Sequence, residues 1–165
     1  MPNETYNILF LCTRNAARSI IAEAIVNKDG HGRFRAYSAG TEPARQVRPE
    51  VLSLLRIRDY NPDTVYTKSL NDLIQAKPPP FDFVITLCDQ AAEKTCPVWP
   101  GHPMTALWPI PDPLSEDDGK GEGQVNYSKT FQMLNSRVTA FMHLPFSALD
   151  ELSLRDSLET IGKTS

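Results

Sequence analysis

Apolar positions along the chain fall into two rhythms that alternate. Residues 6–12 (Tyr-Asn-Ile-Leu-Phe-Leu-Cys) form a short unbroken run rich in strand formers, with no helical period. Such a run predicts a strand buried on both faces. From Ser19 to about Lys28 the period becomes helical, with Ile21, Ala24 and Ile25 on one face. His31-Gly32 marks a loop, and Arg33 to Ser38 a second short strand closed by Ala39-Gly40. Residues 49–58 read as a helix with Pro49 in its first turn and Val51, Leu54 and Leu55 turned inward. Strand, helix, strand and helix at these lengths need crossover connections, so they predict a parallel sheet covered by helices.

The second half is less regular. Ser69 to Ala76 predicts a short helix capped by Ser69, with Leu70, Leu73 and Ile74 on one face, stopped by Pro78-Pro79-Pro80. Residues 81–87 are the clearest later strand and end at Cys88; a short helix is expected over 89–95. Residues 104–108 predict a fourth strand that leads into Pro109-Ile110-Pro111-Asp112-Pro113. The acidic, glycine-rich stretch 115–126 predicts a mobile loop. Residues 127–143 predict an amphipathic helix carrying Phe131, Leu134, Val138 and Phe141 in register. Beyond Pro145, Leu154, Leu158 and Ile161 recur at helical spacing, which predicts a terminal helix that packs loosely or meets another subunit. No internal repeat is visible. The expected organisation is one domain over 1–145, with 146–165 a helical extension of it.

Composition narrows the class. A chain of 165 residues fits one ordinary domain, and 41% hydrophobic with 22% charged residues suits a soluble globular protein. A net charge of −3 argues against a duplex nucleic-acid binder, which carries a basic face. No apolar run approaches the ~18 residues of a membrane span. Met1-Pro2-Asn3-Glu4-Thr5 has no basic flank before an apolar core, so no signal peptide is expected and the cytoplasm is the default location. Most of the 14 prolines lie between Pro43 and Pro113, which predicts stiff loops there.

The cysteines bring in chemistry. Cys12, Cys88 and Cys96 are odd in number and cannot close a secreted disulfide framework, which leaves core filler, metal ligands or reactive thiols. Cys88, Cys96 and a following His102 are too loosely spaced for a structural zinc site. Cys12 and Arg18 are separated by five residues, Ser19 follows, and the segment lies between a strand and a helix. That junction turns backbone N–H groups toward an anion. Arg18 adds a planar fork suited to a tetrahedral oxyanion. A helix N-terminus with an arginine favours a thiolate, and Ser19 is placed to donate to the sulfur. On this reading Cys12 is a nucleophile, and Thr13, Arg14, Asn15, Ala16, Ala17, Arg18 and Ser19 surround the oxyanion. On the plainer reading Cys12 ends a buried strand. A loop that wraps an anion closely calls for glycine, and Arg14 stands in the middle of this one.

Residues 12–19 (Cys-Thr-Arg-Asn-Ala-Ala-Arg-Ser) resemble the phosphate loop of the low-molecular-weight protein tyrosine phosphatase superfamily. The chain is more closely similar to the arsenate reductases built on that fold, over roughly residues 6–145. The likeness includes Ile21-Ala22-Glu23-Ala24, Tyr37-Ser38-Ala39-Gly40, Val84-Ile85-Thr86-Leu87-Cys88-Asp89, Cys96-Pro97-Val98-Trp99-Pro100-Gly101 and Pro111-Asp112-Pro113. The resemblance implies an α/β fold of three layers, a four-stranded parallel sheet flanked by helices, with the site at the end of the first strand. It implies that Cys12 attacks arsenate, Arg18 binds it and Asp112 is the general acid. It also implies a relay in which Cys88 attacks Cys12 and Cys96 then attacks Cys88.

Reducing arsenate takes two electrons, which two thiols supply by ending as a disulfide, whereas phosphate ester hydrolysis needs one cysteine, because water releases the phosphoenzyme. The resemblance therefore implies no tightly bound cofactor, an oxyanion substrate, and an external reductant such as thioredoxin that reopens the Cys88–Cys96 disulfide. Some relatives hold a monovalent cation near the loop; Asn15, Glu23 and Ser38 match part of that site, and no other metal is implied. Leu114 stands where the phosphatases present an aromatic residue to the substrate ring, which weakens a phosphotyrosine or phosphomonoester phosphatase as the alternative. A non-catalytic oxyanion-binding module is the other alternative, and Arg14 is the residue that favours it.

Overall fold

The computed structural model describes residues 5–12, 15, 17–87, 103–110 and 123–163. Four strands, β1 (Tyr6–Cys12), β2 (Phe34–Gly40), β3 (Phe83–Thr86) and β4 (Met104–Leu107), form one sheet in the order β2-β1-β3-β4. Every pairing is parallel, with Cys12 opposite Gly40, Leu11 opposite Thr86, and Thr86 opposite Leu107. All four strands thus end on the same side of the molecule. The chain moves outward from β1 to β2 and later to β3 on β1's other flank. The crevice beyond the strand ends at such a reversal is where open α/β sheets bind ligands.

Alternation along β1 sorts two cores. Ile8 and Phe10 enter the larger one, and Leu9 and Leu11 enter a smaller one with Ala39, Leu73, Phe81 and Val84. Helix α1 (Arg18–Asp29) packs on the larger-core face, against β1 and β2, and meets α4 (Gly123–Met142) and α2 (Pro49–Ile57) outside it. It is buried at every residue from Arg18 to Val26, not on the single face that its apolar period predicts. The sheet covers one side, and the flanking helices cover the other. The expected inward residues of α2 and α4 are all buried: Val51, Leu54 and Leu55 on the one, Phe131, Leu134, Val138 and Phe141 on the other.

The bounds differ where local signals are weak. Helix α4 begins at Gly123, inside the stretch expected as loop. Gln124, Val125 and Asn126 contain no helix breaker, and a helix anchored by its apolar stripe extends cheaply by one turn. Helix α3 (Leu70–Gln75) starts as expected, with the Ser69 hydroxyl accepting the Asp72 N–H at 3.0 Å. Yet Ile74 is half exposed, because six residues over the small core seat Leu73 and leave the next position outside. Helix α5 (Glu151–Lys163) is no loose extension. Leu158 is fully buried, and its carbonyl accepts the Trp108 indole N–H at 3.0 Å. The short helix expected over 89–95 lies outside the described residues.

Candidate active site

The last residue of β1 is Cys12, and the first of α1 is Arg18, so the connecting loop sits at the reversal of strand order. The Cys12 sulfur is buried and lies 2.9 Å from the Ser19 hydroxyl. It also accepts the backbone N–H of Asn15 at 3.2 Å. Asn15 has φ +50°. That left-handed conformation is one asparagine tolerates better than most side chains. With it the Asn15 N–H faces the sulfur, without a glycine at this position.

The Asn15 side chain fixes which way the protons point. Its Oδ1 accepts the backbone N–H of Lys68 at 2.9 Å, so its Nδ2 is the end that meets the Ser19 oxygen, at 2.7 Å. Ser19 therefore accepts from Asn15 and has its own proton left for the Cys12 sulfur. A thiolate at Cys12 thus receives two donors, the Asn15 amide and the Ser19 hydroxyl, as a nucleophile held in its reactive form requires. Arg18 is buried, and its guanidinium donates to the Ile110 carbonyl at 3.2 Å. That bond ties the start of α1 to the segment after β4. The backbone keeps this segment at the strand ends: Leu87 N–H donates to Leu11 O at 2.8 Å, and Ile110 N–H to Leu87 O at 2.9 Å.

A second polar cluster lies beside the loop. The Ser38 hydroxyl on β2 donates to Glu23 on α1 at 2.9 Å. The Lys68 ammonium donates to Ser38 Oγ at 3.2 Å and to the Tyr66 carbonyl at 3.0 Å, and lies 3.7 Å from Glu23 Oε1. Both side chains of the ion pair are nearly buried, 11% exposed for Lys68 and 9% for Glu23. Burial pushes the Glu23 carboxyl above its ordinary range, opposed by Lys68 and the Ser38 hydrogen bond. Burial likewise pulls Lys68 down, opposed by the negative charges of Glu23 and of Cys12. Sequence reasoning had no access to Lys68. It stands 53 positions from Asn15, and no spacing marks it. Its place comes from Gly40, whose N–H donates to Lys68 O at 3.0 Å and lays residues 68–69 along the end of β2.

Of the residues singled out in the sequence, the fold brings together Cys12, Asn15, Ala17, Arg18 and Ser19, with Glu23 and Ser38 alongside. Thr13, Arg14, Ala16, Cys88, Cys96 and Asp112 lie outside the described residues. Among the described residues no cluster of His, Cys, Asp and Glu forms a metal site, and no helix is long and apolar enough to cross a membrane.

Residues 7–153 match the model of the family described as low molecular weight phosphotyrosine protein phosphatase. An arsenate reductase of Shouchella clausii is 30% identical over 139 residues, an alignment that covers 81% of this chain and 93% of that one. The crystal structure of an arsenate reductase from Archaeoglobus fulgidus superposes with a TM-score of 0.63 at 27% identity, covering 83% of this chain and 99% of that one. A thioredoxin-dependent arsenate reductase from Corynebacterium glutamicum superposes with a TM-score of 0.57 at 28% identity, covering 81% of this chain and 60% of that one.

Proposed function

The chain belongs to the low molecular weight phosphotyrosine protein phosphatase family, and on that premise we propose that it reduces arsenate to arsenite with thiols as the electron source. The observation that carries the reading is the buried Cys12 sulfur at the end of β1, held by the Asn15 amide and the Ser19 hydroxyl beside Arg18. The relatives named as arsenate reductases direct that nucleophile to arsenate.

The steps follow from the chemistry of sulfur and arsenic. Cys12 thiolate attacks arsenic, and an oxygen departs as water with a proton from Asp112. Arg18 and the loop amides hold the remaining oxygens. The Cys88 thiolate then attacks the Cys12 sulfur. The arsenic–sulfur bond breaks with its electron pair going to arsenic, which leaves as arsenite, and a Cys12–Cys88 disulfide remains. Cys96 attacks Cys88 and frees Cys12 as thiolate. The resulting Cys88–Cys96 disulfide is reopened by an external dithiol of the thioredoxin type, which a reducing cytoplasm supplies.

Hydrolysis of phosphate esters shares the first step and needs no second thiol, so the two activities separate by mutation. In Cys88→Ser, arsenate turnover is lost while hydrolysis of p-nitrophenyl phosphate survives. In Cys96→Ser, a single turnover survives and a Cys12–Cys88 disulfide accumulates in the mass map. Full arsenate turnover by the double serine variant would overturn the relay and leave direct attack on Cys12 by a small external thiol.

A further inference from the structure

Lys68 has no role in that chemistry, yet its backbone reaches the nucleophile and its side chain reaches the polar cluster beside the loop. Through its backbone N–H it holds Asn15 Oδ1 at 2.9 Å, and Asn15 in turn holds Ser19 and the Cys12 sulfur. Through its ammonium it sits between Ser38 Oγ at 3.2 Å and Glu23 Oε1 at 3.7 Å. Glu23, Ser38 and Asn15 are the side chains that the sequence resemblance assigns to a monovalent cation. They do not fit one here. A positive charge already lies against the Glu23 and Ser38 oxygens, and Asn15 Oδ1 is engaged by an N–H. A metal ion at those oxygens would stand a few ångströms from an ammonium, and like charges repel strongly at that range away from bulk water.

We propose that the Lys68 ammonium is the resident cation of this pocket, a positioning residue that holds Glu23 and Ser38 beside the loop and supplies the positive charge that steadies the Cys12 thiolate, so that the protein works without an added monovalent metal ion. Three geometric facts point the same way. The ammonium has three acceptors around it, the Tyr66 carbonyl, Ser38 and Glu23. It lies over the Tyr66 ring, whose centroid is 4.5 Å from the nitrogen. Its carbon stem is packed away from water, so the charge is fixed in place rather than sampled by a mobile chain. Ser38 Oγ at 3.2 Å and Glu23 Oε1 at 3.7 Å hold that charge at the flank of the loop whose Asn15 N–H meets the Cys12 sulfur at 3.2 Å.

The inference rests on Cys12 as the nucleophile, and its test does not need arsenate. Cys12 alkylation by iodoacetamide is followed at pH 7 by mass mapping, in potassium chloride and in choline chloride of equal ionic strength. The unmodified protein should alkylate, and hydrolyse p-nitrophenyl phosphate, at the same rate in both salts. Lys68→Met should alkylate about tenfold more slowly in choline, with kcat for hydrolysis falling more than KM rises. Potassium or methylammonium should restore part of the rate by taking the place that the ammonium leaves beside Ser38 and Glu23. Lys68→Arg, which keeps the charge, should retain most of the rate. A several-fold activation of the unmodified protein by potassium would overturn the proposal, and this arm stands even if a variant fails to fold. A folded Lys68→Met that alkylates at the unmodified rate would overturn it too. Loss of arsenate turnover alone, with these alkylation differences intact, would count against the reductase reading and leave the proposal standing.

Discussion

At the scale of single residues, the site depends on where one proton goes. Ser19 accepts from Asn15 and so donates to Cys12, and Asn15 can do this only because its oxygen is occupied by the Lys68 N–H. A hydrogen bond to a charged acceptor is worth about 1.5–3 kcal/mol, or roughly one to two powers of ten in the population of the charged form. Ser19→Ala should therefore slow iodoacetamide modification of Cys12 at pH 7 by about 10- to 100-fold, with hydrolytic kcat falling in parallel. A rate unchanged from the parent would mean that the hydroxyl proton is not directed at sulfur. Cys12, Arg18 and Ser19 were legible in the sequence because they lie within one strand–loop–helix turn, where spacing translates directly into geometry. Lys68 was not legible. Its contact with Asn15 depends on Gly40 drawing residues 68–69 to the end of β2, a pairing that no local pattern encodes.

At the scale of elements, the same contrast holds for α5. The spacing of Leu154, Leu158 and Ile161 announced a helix, but which surface it covers is a tertiary fact. That surface is β4 and the indole of Trp108, which is itself fully buried. The close approach is recorded at Gly162. A Cβ added there would lie 2.7 Å from the Leu107 carbonyl oxygen and 2.7 Å from Trp108 Cδ1. The first neighbour is backbone of β4 and the second a ring wedged in the core, so neither yields easily. Gly162 is helical and has an ordinary φ, so what a larger side chain meets is overcrowding, not backbone strain. Overpacking of this kind costs about 1–3 kcal/mol. Gly162→Ala should lower the urea midpoint of unfolding accordingly, with an unchanged slope, and Leu158→Ala should cost about 2–5 kcal/mol through the cavity it leaves. If both variants unfold like the parent, α5 is the loosely packed terminal helix that its sequence predicts. Trp108 also stands two residues before Ile110, the acceptor of Arg18, so the helix that covers the indole supports the segment that anchors Arg18.

At the scale of the whole molecule, the site is a junction. The end of β1, the start of α1, the segment after β4 and the stretch before α3 meet at the loop, each held there by a hydrogen bond to another. An oxyanion bound in that loop therefore engages groups that unfolding would scatter, and its binding energy adds to the stability of the fold. At a ligand concentration of about 100 times the dissociation constant the gain is about 2.7 kcal/mol. For a chain of this length that is a rise in Tm of roughly 5–10 °C. Phosphate stabilises proteins by a second route, because it is excluded from their surfaces. The two routes part on Arg18. Exclusion is indifferent to one buried side chain, whereas site binding needs the planar fork, which an ammonium does not reproduce. In thermal unfolding against phosphate, with chloride at equal ionic strength as the reference, the parent should show a saturating rise. Arg18→Lys should show only the small, non-saturating part. The variant will start from a lower Tm, because the bond to Ile110 is lost, so the quantity to compare is the increment with phosphate. Equal increments in the two proteins would mean that Arg18 does not hold the oxyanion and serves only to tie α1 to the segment after β4.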